Sequence, residues 1–208
     1  MRKKIFSAKR LEAAAALALA VCVISTVSFE RRCGEVRENV LRLHVIANSD
    51  TEADQSVKLK VRDAVLENGS GIFDGSVTAE NAAEKLAPRT GELEETADKV
   101  LAENGADYRT RVEIGEEYFN TRTYEDVTLP AGRYTAVQVV LGEGKGKNWW
   151  CVMFPPMCLP AAEKQTELDA VLSEDGVKLV RSDPKYEIRF KSVEIFERIR
   201  SFLGDLLE

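Results

Sequence analysis

"LRLHVIANSDTEADQSVKLKVRDAVLENGSG" occupies residues 41–71, and its hydrophobic period changes part-way along. Leu41, Leu43 and Val45 fall on one face of a two-residue period, with Arg42, His44 and Ile46 on the other. That pattern predicts a half-buried strand. After the polar turn Ala47–Asp50 the spacing becomes helical, with Val57, Val61, Ala64 and Val65 forming one apolar stripe. Ser49 is the expected N-cap, Glu52 three residues on closes a capping box, and "NGSG" ends the helix. Strand, turn and amphipathic helix make an α/β opening.

Downstream, Thr78–Asn104 reads as a second helical region split at Pro88, which lacks the N–H that a helix interior needs. From Tyr108 the texture changes. "YRTRVEIG", "EYFNTRTYEDVTLP" and "GRYTAVQVVLG" alternate on a two-residue period, and "NWWCVMFPP" reads as a mixed apolar strand. "IGEE" and "GEGKGKN" read as hairpin turns, so the strands are expected to form an antiparallel meander. "DAVLSEDGVKLVRSDPK" reads as a surface connection, "YEIRF" as a short alternating segment, and residues 191–208 as an amphipathic helix. The expected fold is α+β: one domain over residues 30–208, its meander packed by two or three helices.

The N-terminal 29 residues stand apart. They carry five cations against one anion, which leaves the remainder with 24 cations against 34 anions, a net charge of −10. "MRKKIFSAKR" is a basic leader, and Ala13–Phe29 is an uncharged, largely apolar run. Cations ahead of such a run keep that end in the cytoplasm and send the body across the membrane. A cleaved signal peptide and an uncleaved anchor both fit this pattern. An acidic body also argues against nucleic acid as a partner.

The densest chemistry lies in "LGEGKGKNWWCVMFPPMCLP", residues 141–160. Its glycine–lysine alternation is not a phosphate loop. The Walker spacing would put its first glycine at Leu141, and Asn148 stands where Ser or Thr is required. Six residues separate Cys151 from Cys158, so they form no CxxC redox motif, and a reactive pair remains only as the alternative to a structural bridge. In an exported protein they are expected to form a structural disulfide, the chain folding back about Pro155 and Pro156. Neighbouring strand residues point to opposite faces, so Trp149 and Trp150 cannot enter one core together. An uncovered tryptophan is an anchor of the kind that dominates binding hot spots. His44 is the sole histidine, and no nucleophile turn, metal-ligand set or cofactor motif accompanies it. No catalytic, metal-binding or cofactor-binding residue is therefore assigned, and no small-molecule substrate is expected.

"LRLHVIANSDTEADQSVKLKVRDAVL" followed by "PAGRYTAVQVVLGEGKGKNWWCVMFPPMC" resembles the stage II sporulation protein R family of endospore-forming bacteria. The resemblance spans about residues 40 to 160 and rests on "HVIANSD" and on "GEGKGKNWWCV.FPP.C". It implies a signalling protein made in the forespore and exported into the space between the two sporangial membranes. There it would trigger a membrane-embedded aspartic protease that removes the pro-sequence of sigma factor E. The resemblance carries over no catalytic residue.

Three classes follow. The first is a binding module, with Asn48, Ser49, Asp50, Lys145, Lys147, Asn148, Trp149 and Trp150 as candidate partner-binding residues. The second is an exported hydrolase acting on cell-wall material through Asp50, Asp54 or His44. The third is a membrane-tethered structural protein, favoured if the apolar run stays attached. An enzyme gathers its unusual residues in a pocket, whereas a binding module shows them on a flat or convex surface.

Overall fold

The computed structural model describes residues 2–70, 72–73, 78–124, 127–155 and 171–181. Helix α1 (Arg2–Asn39) leads into β1 (Leu41–Ile46), then α2 (Glu52–Ser70) and α3 (Ala79–Leu86). A single 3₁₀ turn, Ala87–Arg89, carries Pro88 and joins α3 to α4 (Thr90–Glu103), the expected break in the second helical region. Strands β2 (Thr110–Phe119), β3 (Arg122–Tyr124), β4 (Val127–Leu129), β5 (Gly132–Leu141) and β6 (Asn148–Phe154) follow, and α5 (Glu174–Val180) comes last among the described residues. The class is α+β, as expected.

The strand order differs from a meander. The main sheet runs β2-β5-β1-β6, with β1 parallel to β5 and antiparallel to β6. Strand β1 thus separates β5 from β6, and residues 142–147 form a crossover past the end of β1 where a hairpin turn was expected. "IGEE" is not a turn either: it lies inside β2, paired along its length with β5. Composition explains the central place of β1. Leu41, Leu43 and Val45 face a core built with α2, α3 and α4, where Val57, Val61, Leu86 and Leu93 are buried.

The other face of β1 is covered as well. Arg42 is fully buried and His44 is 4% exposed, so the half-buried strand read from the alternation is in fact buried on both sides. The second layer consists of the end of α1 (Phe29, Cys33, Val36), the β3–β4 hairpin and α5. Helix α5 falls in the segment read as a surface connection. Ser173 caps it by accepting from Gly176 N, and the Ser173 N–H donates to Glu35 on α1 at 2.8 Å.

Helix α1 crosses the division at residue 29 without a break. Residues 9–28 are exposed along their whole length, while Phe29, Cys33 and Val36 enter the second core. The stretch from Lys9 is long and apolar enough to cross a membrane, which is compatible with a signal peptide or an anchor. The expected "YEIRF" segment and C-terminal amphipathic helix lie outside the described residues.

Candidate partner-binding site

The two unusual segments meet at the end of β1. The Asn48 carbonyl accepts from the Lys145 N–H at 3.1 Å, and the Ala47 carbonyl accepts from the Gly146 N–H at 2.8 Å. Side chains finish the clamp. Asn48 Oδ1 accepts from the Glu143 N–H at 2.9 Å, and Asp50 Oδ1 accepts from the Lys147 N–H at 2.7 Å. Lys58, from α2, donates to the Lys147 carbonyl at 2.9 Å and to Gln55 Oε1 at 2.6 Å. Burial pushes the Lys58 ammonium down, Asp50 opposes this, and Lys147 and Arg62 add to it.

Behind the clamp stands Asp54. Its carboxylate accepts from Asn48 Nδ2 at 3.0 Å, Ser49 Oγ at 2.6 Å and Tyr108 OH at 2.6 Å. Burial raises the carboxyl's pKa, but the bonds from Ser49, Tyr108 and Asn48 outweigh it and hold the group below the usual carboxylate range. The expected Ser49 cap moves by two residues. Thr51 Oγ1 accepts from the Asp54 N–H at 3.2 Å, so Thr51 caps α2 and frees Ser49 to bind the Asp54 side chain.

The glycines of the crossover have distinct tasks. Gly142 and Gly144 take positive φ, 56° and 64°, which side-chain-bearing residues adopt at a cost. Gly146 is needed for proximity: a Cβ there would sit 2.2 Å from the Ser49 carbonyl oxygen and 2.8 Å from Ala47 Cβ. Gly146→Ala is therefore expected to destabilise the fold by about 1–3 kcal/mol, the range for forcing extra atoms into a packed contact. Urea unfolding beside Gly91→Ala, whose Cβ would meet nothing within 4 Å, checks this. Equal stability of the two variants would remove the close approach as the reason for Gly146.

The tryptophans divide between faces as alternation requires. Trp149 stays 37% exposed, with the Arg62 guanidinium 4.5 Å from its ring centroid. Trp150 turns to the opposite face. It stacks on His44 with centroids 3.7 Å apart and meets Phe119 edge-on at 4.9 Å. Asn48, Ser49 and Asp50 are thus committed to the clamp, while Lys145, Lys147, Asn148 and Trp149 form its exposed outer edge. Gln55, Lys58 and Tyr108, ordinary residues by spacing, complete the network and carried no signal in the sequence.

The structure does not bring His44 together with Asp50 and Asp54. His44 Nδ1 bonds Glu117 Oε1 at 2.7 Å on one face of the sheet, whereas Asp50 and Asp54 bind the turn and the crossover at the end of the strand. Among the described residues no group of three His, Cys, Asp or Glu is placed to hold a metal. Cys151 is buried in β6. Its expected partner Cys158 lies outside the described residues, and the free thiols among the described ones are Cys22 and Cys33.

The model of the family described as stage II sporulation protein R matches residues 37–164, which include both clamped segments. The chain belongs to the stage II sporulation protein R family. The stage II sporulation protein R of Bacillus subtilis (strain 168) is 33% identical to it over 123 residues, 59% of this chain and 55% of that protein. The chain thus spans about half the length of the curated relative it matches. No solved structure matches it. The exposed apolar stretch of α1 precedes the matched region, whereas β1, the crossover and β6 lie inside it.

Proposed function

We propose that this chain is an exported signalling protein of endospore formation that docks on a membrane-embedded aspartic protease and so promotes cleavage of the sigma factor E precursor. Family membership supports the sporulation role, and the apolar α1 is compatible with export or anchoring. The observation that carries the docking reading is the clamped crossover with Trp149 at its edge. A rigid loop holding a part-exposed aromatic ring loses little conformational entropy when a partner covers it. Binding then shifts the protease toward its active form by the difference in affinity for its two states.

Co-expression in a non-sporulating host, with the cognate protease and sigma factor precursor, tests this by following processing on gels. Trp149→Ala is expected to reduce processing by about tenfold or more, a hot-spot loss near 2 kcal/mol. The same change is expected to alter stability by less than about 1 kcal/mol, since the ring is part-exposed and lies against the Arg62 guanidinium. Processing that runs equally well without this chain would sink the signalling reading. Full activity of folded Trp149→Ala would move the docking surface elsewhere.

A further inference from the structure

Strand β2 lies at one edge of the main sheet, and among the described residues its outer side is only partly covered. The Thr110 and Val112 N–H groups donate to Asp98 and Glu94 of α4, at 2.8 Å each. These residues therefore sit in the pairs whose backbone groups point away from β5. The register with β5 holds through Phe119, so Ile114 and Glu116 turn their N–H and C=O outward too. No described strand pairs with them, and Gly115 and Glu116 are exposed.

Beside this stretch lies a cavity of about 200 Å³ lined by residues 113–117 of β2 with Ala136 and Gln138 of β5. Strand β2 curls over it. Glu117 is paired with Tyr134, four residues from the Gln138 that faces His44, yet its carboxylate reaches His44. A Cβ on Gly115 would meet nothing within 4 Å, so the middle of the trough is open. Glu113, Glu116 and Glu117 make this edge acidic, and among the described residues Arg111 lies 3.8 Å from Glu113 while His44 bonds Glu117.

We infer that the Ile114–Glu116 edge of β2 is a docking site for an extended basic segment of a partner polypeptide, which adds as a strand and places a lysine or arginine side chain in the acidic trough. Strand addition draws affinity from the main chain and specificity from alternate side chains. A second copy of this chain is a poor occupant, because edge-to-edge pairing would set its glutamates against one another. The site is distinct from the clamp and stands whether or not Trp149 docks.

The probe is a blocked hexapeptide alternating lysine and valine, added to the full chain in zwitterionic detergent, with a glutamate–valine peptide as its counterpart. The lysine peptide is expected to bind in a salt-sensitive manner and to slow hydrogen exchange at the Ile114 and Glu116 amides. Glu116→Pro removes an outward N–H, which an edge strand tolerates, together with one carboxylate, and is expected to bind about tenfold more weakly than Glu116→Gln, the loss of one backbone hydrogen bond. Glu113→Lys, which leaves every backbone group in place, is expected to weaken the lysine peptide and favour the glutamate one. The inference is overturned if the two amides gain no protection, if both peptides bind the wild type equally, or if Glu116→Pro binds like Glu116→Gln and Glu113→Lys like the wild type. Sedimentation showing that the free chain self-associates through this edge would also overturn it, by making a second copy the occupant.

Discussion

Arg42→Ala is expected to cost about 3–5 kcal/mol, because it opens a cavity and takes a donor from both the Cys151 carbonyl and the Tyr124 hydroxyl. Arg42 is fully buried against Phe119 and Tyr134 of the second core, and among the described residues no carboxylate is paired with it. Its Nε donates to the Cys151 carbonyl at 3.0 Å and its Nη2 to Tyr124 OH at 2.6 Å. The guanidinium lies 4.3 Å from the Phe119 ring centroid, 5.0 Å from Tyr134 and 5.5 Å from Tyr124. Burial pulls its pKa down, against the stabilising pull of Tyr124 and Tyr134, yet an arginine stays charged at neutral pH. The aromatic faces and neutral oxygens thus stand in for a counter-ion. Arg42→Met fills most of the volume and is expected to cost less than half as much, since packing is kept and only the polar partners are lost. Urea unfolding of both variants separates the two contributions. A loss below about 1 kcal/mol in the alanine variant would show that the layer closes without its cation.

Asp54→Ala is expected to cost about 2–4 kcal/mol, from three hydrogen bonds to one charged carboxylate discounted for partial exposure. The effect should reach beyond α2. Asn48 and Ser49 lose their common acceptor, and Asn48 is the residue that receives the Glu143 N–H and the Lys145 N–H. The sign of the pH dependence follows from the lowered carboxyl pKa. The unfolded group takes up a proton before the folded one does. The contribution of Asp54 is therefore fully present above the ordinary carboxylate pKa of about 4 and is lost as pH falls through the lower folded value. Unfolding measured from pH 2 to 7 should show wild type ahead of Asp54→Asn by a constant margin above about pH 5, shrinking below pH 4. A margin that does not change with pH would mean that shape, and not charge, holds the turn.

Local chemistry was readable from residues 41–71, and long-range pairing was not. The alternation of Leu41, Leu43 and Val45 located β1 and its inward face, and Pro88 marked the break between α3 and α4. The same alternation misled about Arg42 and His44. Polar types on the second face usually mean solvent, and here an aromatic layer from β2, β3 and β5 receives the arginine. The meander failed for a related reason. Successive strands pair by default, and nothing in "GEGKGKN" shows that another strand lies between its flanks. Its glycines were legible as turn formers, but the need at Gly146 depends on Ser49, a contact that periodicity cannot reveal. The opposite facing of Trp149 and Trp150 followed from strand geometry alone.

The clamp joins residues 95 and 97 positions apart in the chain. Bringing such distant segments together costs on the order of 4 kcal/mol in chain entropy before any bond is made. The Asn48–Asp50 turn emerges early in synthesis, but its partners at 143–147 arrive only after α2, α3, α4 and β5 have been made. Closure of the crossover is thus expected to be a late event of folding, and a chain cut short before residue 143 would leave the turn's polar groups to water. The surface around Trp149 then acquires its shape only in a molecule that has completed its sheet, so an unfinished chain would lack the proposed docking surface.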